Sequence, residues 1–174
     1  MGKKVRAIST MMAVLITIAI VVFAGMMLWY MTAGFFKGGG KAALTVSGTG
    51  SGSSNGQRAT LNLVIQNTGD GAARIMGIYI QPESSGVDIT DVTAPALPKD
   101  VEVTDLASDT VPTVPTTSQG GEYLDLDAKS TTTVFLQITG QGGLFAGSQI
   151  RVYVVYYDLG SGQSAVADTV VTLR

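Results

Sequence analysis

Near its N-terminus the chain has a long stretch in which no position is charged, and it then changes to an alternating apolar–polar pattern. Residues 7–36 contain no charged side chain, and most of them are apolar. An apolar run without a polar stripe is typical of a helix that lies among lipids or other helices. The pattern predicts a long hydrophobic helix over residues 8–36, followed by a head of different structure.

Basic residues directly precede this run, and aromatic residues lie near its end. Lys3, Lys4 and Arg6 fall within residues 1–7 and predict a cytoplasmic N-terminus by the positive-inside rule. Trp29 and Tyr30 lie where interfacial aromatic side chains are expected. A helix over the whole run would reach roughly 43 Å, more than a bilayer core of about 30 Å.

Three consecutive glycines follow the run. Gly38, Gly39 and Gly40 lie between Lys37 and Lys41. Glycine is favoured just past the end of a helix, and lysine complements the C-terminal helix dipole. Residues 37–41 are therefore predicted to be a hinge between helix and head.

From Ala42 onward, apolar positions recur with a period of two, which is the signature of half-buried strands. Met76, Ile78 and Ile80, for example, are predicted to share one face. The predicted strands cover 60–67, 74–80, 131–139, 149–158 and 165–174, with weaker candidates at 42–47, 86–92 and 100–105. Residues 48–57, 110–121 and 140–148 are predicted to be loops. We expect an α+β chain: the long N-terminal hydrophobic helix, then an antiparallel β-sandwich (Ig-like) head over 42–174.

The amino-acid composition limits the kinds of catalytic and metal-binding site that the chain can form. The 174 residues include no His and no Cys, and the formal net charge is −2. Thiolate metal sites and imidazole-based catalysis are thereby excluded, and nucleic acid is not an expected partner. No catalytic motif is present, so no enzyme activity, cofactor or metal is predicted.

Acidic residues concentrate in the head. Residues 83–127 hold ten acids against Lys99 alone. A Ca²⁺ site and a solvated acidic surface are both open interpretations, although Asp125-Leu126-Asp127 is only a fragment of a calcium loop.

Two further alternatives concern an adhesive aromatic patch and O-linked glycans. The patch would use Tyr153, Tyr156, Tyr157, Phe135 and Phe145, and the glycans would use Thr110, Thr113, Thr116, Thr117 and Ser118.

The segment KKVRAIS at 3–9, the uncharged run after it and LNLVIQNTGDGAARIMGIYI at 61–80 together resemble the archaeal type IV pilin-like family. The resemblance implies cleavage by a prepilin peptidase between Ala7 and Ile8, with residues 1–7 removed. It also implies membrane assembly machinery as a partner. The precursor would lie in the cytoplasmic membrane, and the mature subunit in an extracellular filament.

In such a filament the subunit would be a homopolymer whose apolar segments pack side by side, with the β head exposed for adhesion. The residues predicted for the filament core are Ile8, Met12, Leu15, Ile16, Ile20, Val22, Phe23, Met27, Leu28, Trp29, Phe35 and Phe36. Met12 occupies the fifth mature position, where bacterial pilins usually carry Glu, which favours an archaeal adhesive pilin. An archaellin and a membrane-anchored β-sandwich binding module remain alternatives.

Overall fold

A computed structural model describes residue 12 and residues 14–27, 40–107, 110–115 and 120–174. The chain divides into two units between Gly38 and Gly39. The first contains a helix, and the second is built from strands.

The prediction of an α+β chain with a long N-terminal hydrophobic helix is wrong. The helix α1 covers residues 14–27, roughly 21 Å at about 1.5 Å per residue, and the described chain is mostly β. Among the described residues, no helix has both the length and the apolar character needed to span a bilayer. Most of residues 14–22 are β-branched, which lowers helix propensity, and an apolar run by itself does not fix the length of a helix.

Among the described residues of the second unit, nine strands form two sheets. The four-stranded sheet has the order β1-β2-β7-β4, and the five-stranded sheet has the order β5-β3-β8-β9 with β6 beside β3. The strands are β1 Leu44–Gly52, β2 Arg58–Asn67, β3 Ala73–Pro82, β4 Asp88–Thr93, β5 Glu102–Asp105, β6 Leu124–Leu126, β7 Thr131–Gly142, β8 Gln149–Asp158 and β9 Gln163–Thr172.

The core lies between the two sheets. Strict alternation in β2 buries every second residue, and β7 and β8 follow the same rule over most of their length. The side chains buried completely or almost completely include Leu61, Leu63, Ile65, Ile75, Ile78, Ile80, Leu136, Ile138, Ile150 and Val152. The sandwich-like head was therefore predictable from period two.

Three details of the head differ from the sequence prediction. β5 pairs with β3 in parallel, whereas every predicted pairing was antiparallel. β1 runs to Gly52, so the loop predicted to start at residue 48 is partly strand. A register shift between Ile75 and Gly77 places Ile75 in the core and Met76 in a separate cluster with Tyr79, so Met76 does not share a face with Ile78.

Residues 40–43, called the neck here, are bound tightly to the head. The Lys41 carbonyl oxygen accepts the N–H groups of Asp70 at 3.1 Å and Gly71 at 3.3 Å. The Ala43 carbonyl oxygen accepts the Thr68 N–H at 2.8 Å. A Cβ at Gly71 would overlap the Gly40 carbonyl oxygen, so the two glycines permit this close approach.

Candidate functional site

A pocket of about 340 Å³ lies on the outer face of the five-stranded sheet. We call it the tyrosine pocket, and it is lined by Met76, Tyr79, Asp100, Glu102, Thr113, Pro115 and Tyr123. Its volume is within the lower range for small-ligand sites. It combines two aromatic rings and a thioether with two carboxylates.

A glycine in β3 creates the space for the Tyr79 ring. Ile78 and Ile80 point into the core, so Tyr79 points outward. A Cβ at Gly77 would lie only 2.8 Å from Tyr79 Cε2, which shows that the ring lies directly over this glycine. Because Gly77 pairs with Glu102 in the neighbouring strand, the Tyr79 hydroxyl donates to Glu102 Oε2 at 2.7 Å.

The Tyr79 hydroxyl stays protonated over a wide pH range. Burial raises its pKa, and the hydrogen bond to the Glu102 carboxylate and the negative charge there raise it further. Both effects disfavour a phenolate beside a carboxylate. The hydroxyl is therefore a permanent donor that fixes Glu102 at the pocket.

Asp100 joins the two segments that border the pocket. Its Oδ2 accepts the Glu122 N–H at 2.6 Å, and its own N–H donates to the Glu122 carbonyl oxygen at 3.2 Å. A Cβ at Gly121 would lie 2.7 Å from Asp100 Oδ2 and 2.9 Å from Tyr123 Cε2. A side chain at position 121 would thus crowd both the carboxylate and the ring.

The Tyr123 ring makes a cation–π contact with Arg74 of the same chain. The Arg74 guanidinium carbon lies 5.7 Å from its centroid, a cation–π distance. Arg74 also binds Asp125 through two parallel hydrogen bonds of 2.7 and 2.8 Å. This bidentate bond to Asp125 raises the pKa of Arg74. Since Arg74 is neutralised by Asp125, the pocket keeps the negative charge of Asp100 and Glu102.

These groups suit an organic cation. Carboxylates attract ammonium or guanidinium groups, and the electron-rich faces of tyrosine rings favour the same groups. An anion would meet two carboxylates without a free base facing it among the lining residues. No described group of three or more acids is arranged to hold a metal ion.

The whole of the predicted processing site lies outside the residues that the structure describes. Lys3, Lys4, Arg6, Ala7 and Ile8 belong to residues that the structure does not describe. The predicted cleavage therefore stays a prediction.

Seven of the predicted filament-core residues lie in the described helical segment. All of them are exposed, with Phe23 at 74% and Ile20 at 63%. The other five described members are Met12, Leu15, Ile16, Val22 and Met27. The members outside the description are Ile8, Leu28, Trp29, Phe35 and Phe36.

The predicted hinge is described only at its end. Gly38 and Gly39 lie outside the described residues, whereas Gly40 belongs to the neck that packs against Asp70. The hinge stays a prediction, and Gly40 itself is held by the head.

The acidic and aromatic residues that the sequence grouped together are dispersed in space. Asp88 is on β4, whereas Asp100 and Glu102 line the tyrosine pocket on the other sheet, and Arg151 binds Glu83. Phe135 is exposed on β7, Phe145 packs under Gly56, and Tyr153 and Tyr157 join the small cluster around Tyr79.

The sequence analysis did not find the tyrosine pocket. One available signal was Gly77 inside a predicted strand, because an isolated glycine there suggests a bulge or a close approach. A second was Tyr79, which falls out of phase with the core residues Ile78 and Ile80. Tyr123 gave no signal, because β6 has only three residues and lay in no predicted strand.

Comparisons with known proteins identify no family. No family model matches the chain, and no curated protein matches it in sequence. The apo PmoF2 PCuAC domain has a TM-score of 0.40 and 14% identity over 76% of this chain and 94% of that chain. The GAE domain of GGA2p from Saccharomyces cerevisiae has a TM-score of 0.41 and 11% identity over 78% of this chain and 97% of that chain.

The archaellum periplasmic stator protein FlaG from Sulfolobus acidocaldarius gives a TM-score of 0.35 and 12% identity over 74% of this chain and 98% of that chain. All three TM-scores are below 0.5, so these similarities carry no information about function.

Proposed function

We propose that this protein is a non-catalytic structural subunit of an extracellular type IV pilus-like filament, with its β head on the outside. The observation that carries the proposal is the exposure of α1. Every residue in 14–27 is exposed, and none is charged. Burying each Leu- or Ile-sized side chain stabilises by about 1.5–3 kcal/mol, so this surface requires a cover.

Copies of the same segment provide that cover. An apolar surface on all sides of a helix fits a bundle of similar helices better than a single docking groove. Small residues at Ala19, Ala24 and Gly25 permit close approach, and no Cβ contact lies within 4 Å of Gly25. The head, in contrast, buries its own core and needs no partner to do so.

Electron microscopy of sheared cell-surface material tests the proposal. We expect filaments that contain this chain, and mass spectrometry of them should give an N-terminus at Ile8. Ile20→Asp should abolish the filaments while the protein remains in the membrane fraction. The matched control is Val111→Asp, an equally drastic change at a head residue that is 75% exposed, and it should leave them intact.

Wild-type cells without filaments, or filaments that persist unchanged with Ile20→Asp, would overturn the proposal. Assembled subunits that start at Met1 would overturn its processing step.

A second candidate is a binding module anchored by the apolar segment in lipid. The tyrosine pocket favours it, because a pocket with convergent rings and carboxylates is the usual form of a recognition site. This candidate predicts single subunits in the membrane and no polymer.

A further inference from the structure

The head is strongly acidic, so neighbouring heads in a filament repel one another unless bases and acids meet locally. Residues 42–174 carry thirteen acids and six bases, a net charge of −7. Like charges opposite one another cost free energy, whereas complementary patches fix the register of a contact. The pairing of exposed bases is therefore informative.

Half of these bases are already neutralised within the head. Arg74 binds Asp125, Lys129 binds Asp70 at 2.9 Å, and Arg151 binds Glu83 and Asp168. Within the described ranges, the bases of this region that have no ion pair are Arg58, Lys99 and Arg174.

Arg58 has the most favourable position of these three. It begins β2, and Ala59 beside it is buried, so Arg58 projects from the outer face of the four-stranded sheet. Lys99 directly precedes Asp100, a lining residue of the tyrosine pocket, in the sequence. The Arg174 backbone is bound at the β1 end, to Gly50 and Gly52.

The surface around Arg58 is polar and poor in charge, and it contains an open depression of about 410 Å³ lined in part by Arg58, Thr60 and Gln137. Its exposed neighbours on β2 and β7 are Thr60, Asn62, Gln137 and Thr139. Thr139 of β7 pairs with Arg58 of β2 on one side and with Asp91 of β4 on the other. Asp91 is the nearest acid along this row, and its backbone is two strands from Arg58, about 10 Å away. Such a surface can approach another head without burying several charges.

We infer that the tyrosine pocket of one subunit receives Arg58 of the next subunit in the filament. Arg58 lies on the outer face of one sheet and the pocket on the outer face of the other, so the contact is heterologous, the type of contact from which open helical polymers are built. Guanidinium binds carboxylates bidentately and stacks on aromatic rings, which matches Glu102, Asp100 and the two tyrosines. Arg74 over Tyr123 shows the same pairing within one chain.

This inference rests on the proposed filament, and cross-linking tests it separately. Since the chain has no Cys, two introduced cysteines report one contact. Thr60→Cys lies two residues from Arg58 on the same face, and Thr113→Cys lies on the pocket wall. A short bismaleimide is the probe, because a bridging arginine leaves the Cβ atoms farther apart than the roughly 4 Å of a disulfide.

In filaments of the double variant we expect a ladder of covalent dimers, trimers and higher species, because each subunit bears both halves of the contact. Either cysteine alone should give no ladder. The matched control pairs Thr113→Cys with Thr131→Cys, on the same face as Arg58 but opposite Gln66, about 26 Å along β2. It should give no ladder either.

Charge reversal tests the role of Arg58 itself. In the Thr60→Cys and Thr113→Cys background, Arg58→Glu should lower the cross-linking yield about tenfold or more, the range of a central interface arginine. High salt should lower it as well. As an independent arm without cysteines, carbodiimide treatment of Arg58→Lys filaments should couple position 58 to Asp100 or Glu102, as peptide mass spectrometry would show.

The outcomes separate the two proposals. Filaments with no ladder and no carbodiimide product, or a ladder unaffected by Arg58→Glu, would overturn the inference and leave the filament proposal standing. Coupling of the pocket acids to a different base would overturn the assignment of Arg58. The absence of filaments from wild-type cells would overturn both.

Discussion

The buried side chain of Asn67 accepts a hydrogen bond from the backbone N–H of Ala43, 24 residues earlier, at 3.3 Å. The same Oδ1 accepts the Gly69 N–H at 3.1 Å. Its amide nitrogen donates to the carbonyl oxygens of Gly71 at 2.7 Å, Asp127 at 3.0 Å and Leu126 at 3.3 Å. One side chain therefore joins the neck, the β2–β3 turn and the end of β6.

Asn67→Ala should lower the free energy of unfolding by about 2–4 kcal/mol, because several backbone groups would lose the hydrogen bonds that they make with its amide. Urea unfolding of the detergent-solubilised protein, followed by near-UV circular dichroism, measures the change. Asn62→Ala is the control, since this exposed residue of the same strand should change stability by less than about 0.5 kcal/mol. Equal effects of the two substitutions would contradict the joining role of Asn67.

Gly71→Ala should destabilise the head by about 1–3 kcal/mol, because its Cβ would overlap the Gly40 carbonyl oxygen and force the neck away. Thermal unfolding and proteolysis near residue 40 provide the measurements. Gly142→Ala is the matched substitution, with no atom within 4 Å of the added Cβ. If Gly71→Ala behaved like Gly142→Ala, the close approach would be of no consequence for stability.

Tyr79 should make stability fall at high pH. Its pKa in the folded protein is raised above the unfolded value of 10.0, so its contribution is complete below about pH 10 and declines as pH rises further. Urea midpoints between pH 8 and pH 12 should therefore decline more steeply for the wild type than for Tyr79→Phe. Glu102→Gln keeps an acceptor but removes the charge, and should give an intermediate slope. Identical slopes for the wild type and Tyr79→Phe would rule out this linkage.

The ionised Asp158 side chain should stabilise the head at pH values above the pKa that it has in the unfolded chain. Burial alone would raise its pKa, but hydrogen bonds from the Ser161 hydroxyl and from the N–H groups of Gly160, Ala42 and Ser161 outweigh burial and lower it. The contribution is present above the ordinary value of 3.8 and is lost as pH falls below it.

Asp158→Asn should therefore be less stable than the wild type at pH 7, by about 1–2 kcal/mol, and the difference should shrink toward pH 2. Chemical unfolding at a series of pH values measures it. Asp91→Asn, at an exposed strand position, serves as the control and should change stability at pH 7 by less than about 0.5 kcal/mol. A constant difference from pH 7 to pH 2 would show that the Asp158 charge is unimportant.

The strands of the head were accessible from the sequence because their alternation reports burial directly. β2 shows this best, since Leu61, Leu63 and Ile65 are all completely buried. β6 was missed because three residues are too few to display a period. The parallel pairing of β5 with β3 depends on where the connecting chain returns, which no local pattern encodes.

The extent of the helix and the presence of the tyrosine pocket could not be predicted from the sequence pattern. Residues 8–36 are uncharged and mostly apolar, and such a pattern reports the surroundings of a segment without marking where its helix begins or ends. The pocket depends on a bulge at Met76, a missing side chain at Gly77 and a three-residue strand beside β3. Each is visible in the sequence only as a weak local irregularity, and their meeting is a property of the sheet.

The neck feeds directly into β1, and this connection has a mechanical consequence. β1 is paired with β2 from Leu44↔Asn67 to Gly52↔Ala59, with hydrogen bonds that lie across the strand direction. A pull along the chain at Ala43, resisted elsewhere in the head, would load this whole ladder in shear at once instead of peeling it one bond at a time. In the proposed filament, tension on the neck would thus reach the head as shear across the β1–β2 ladder.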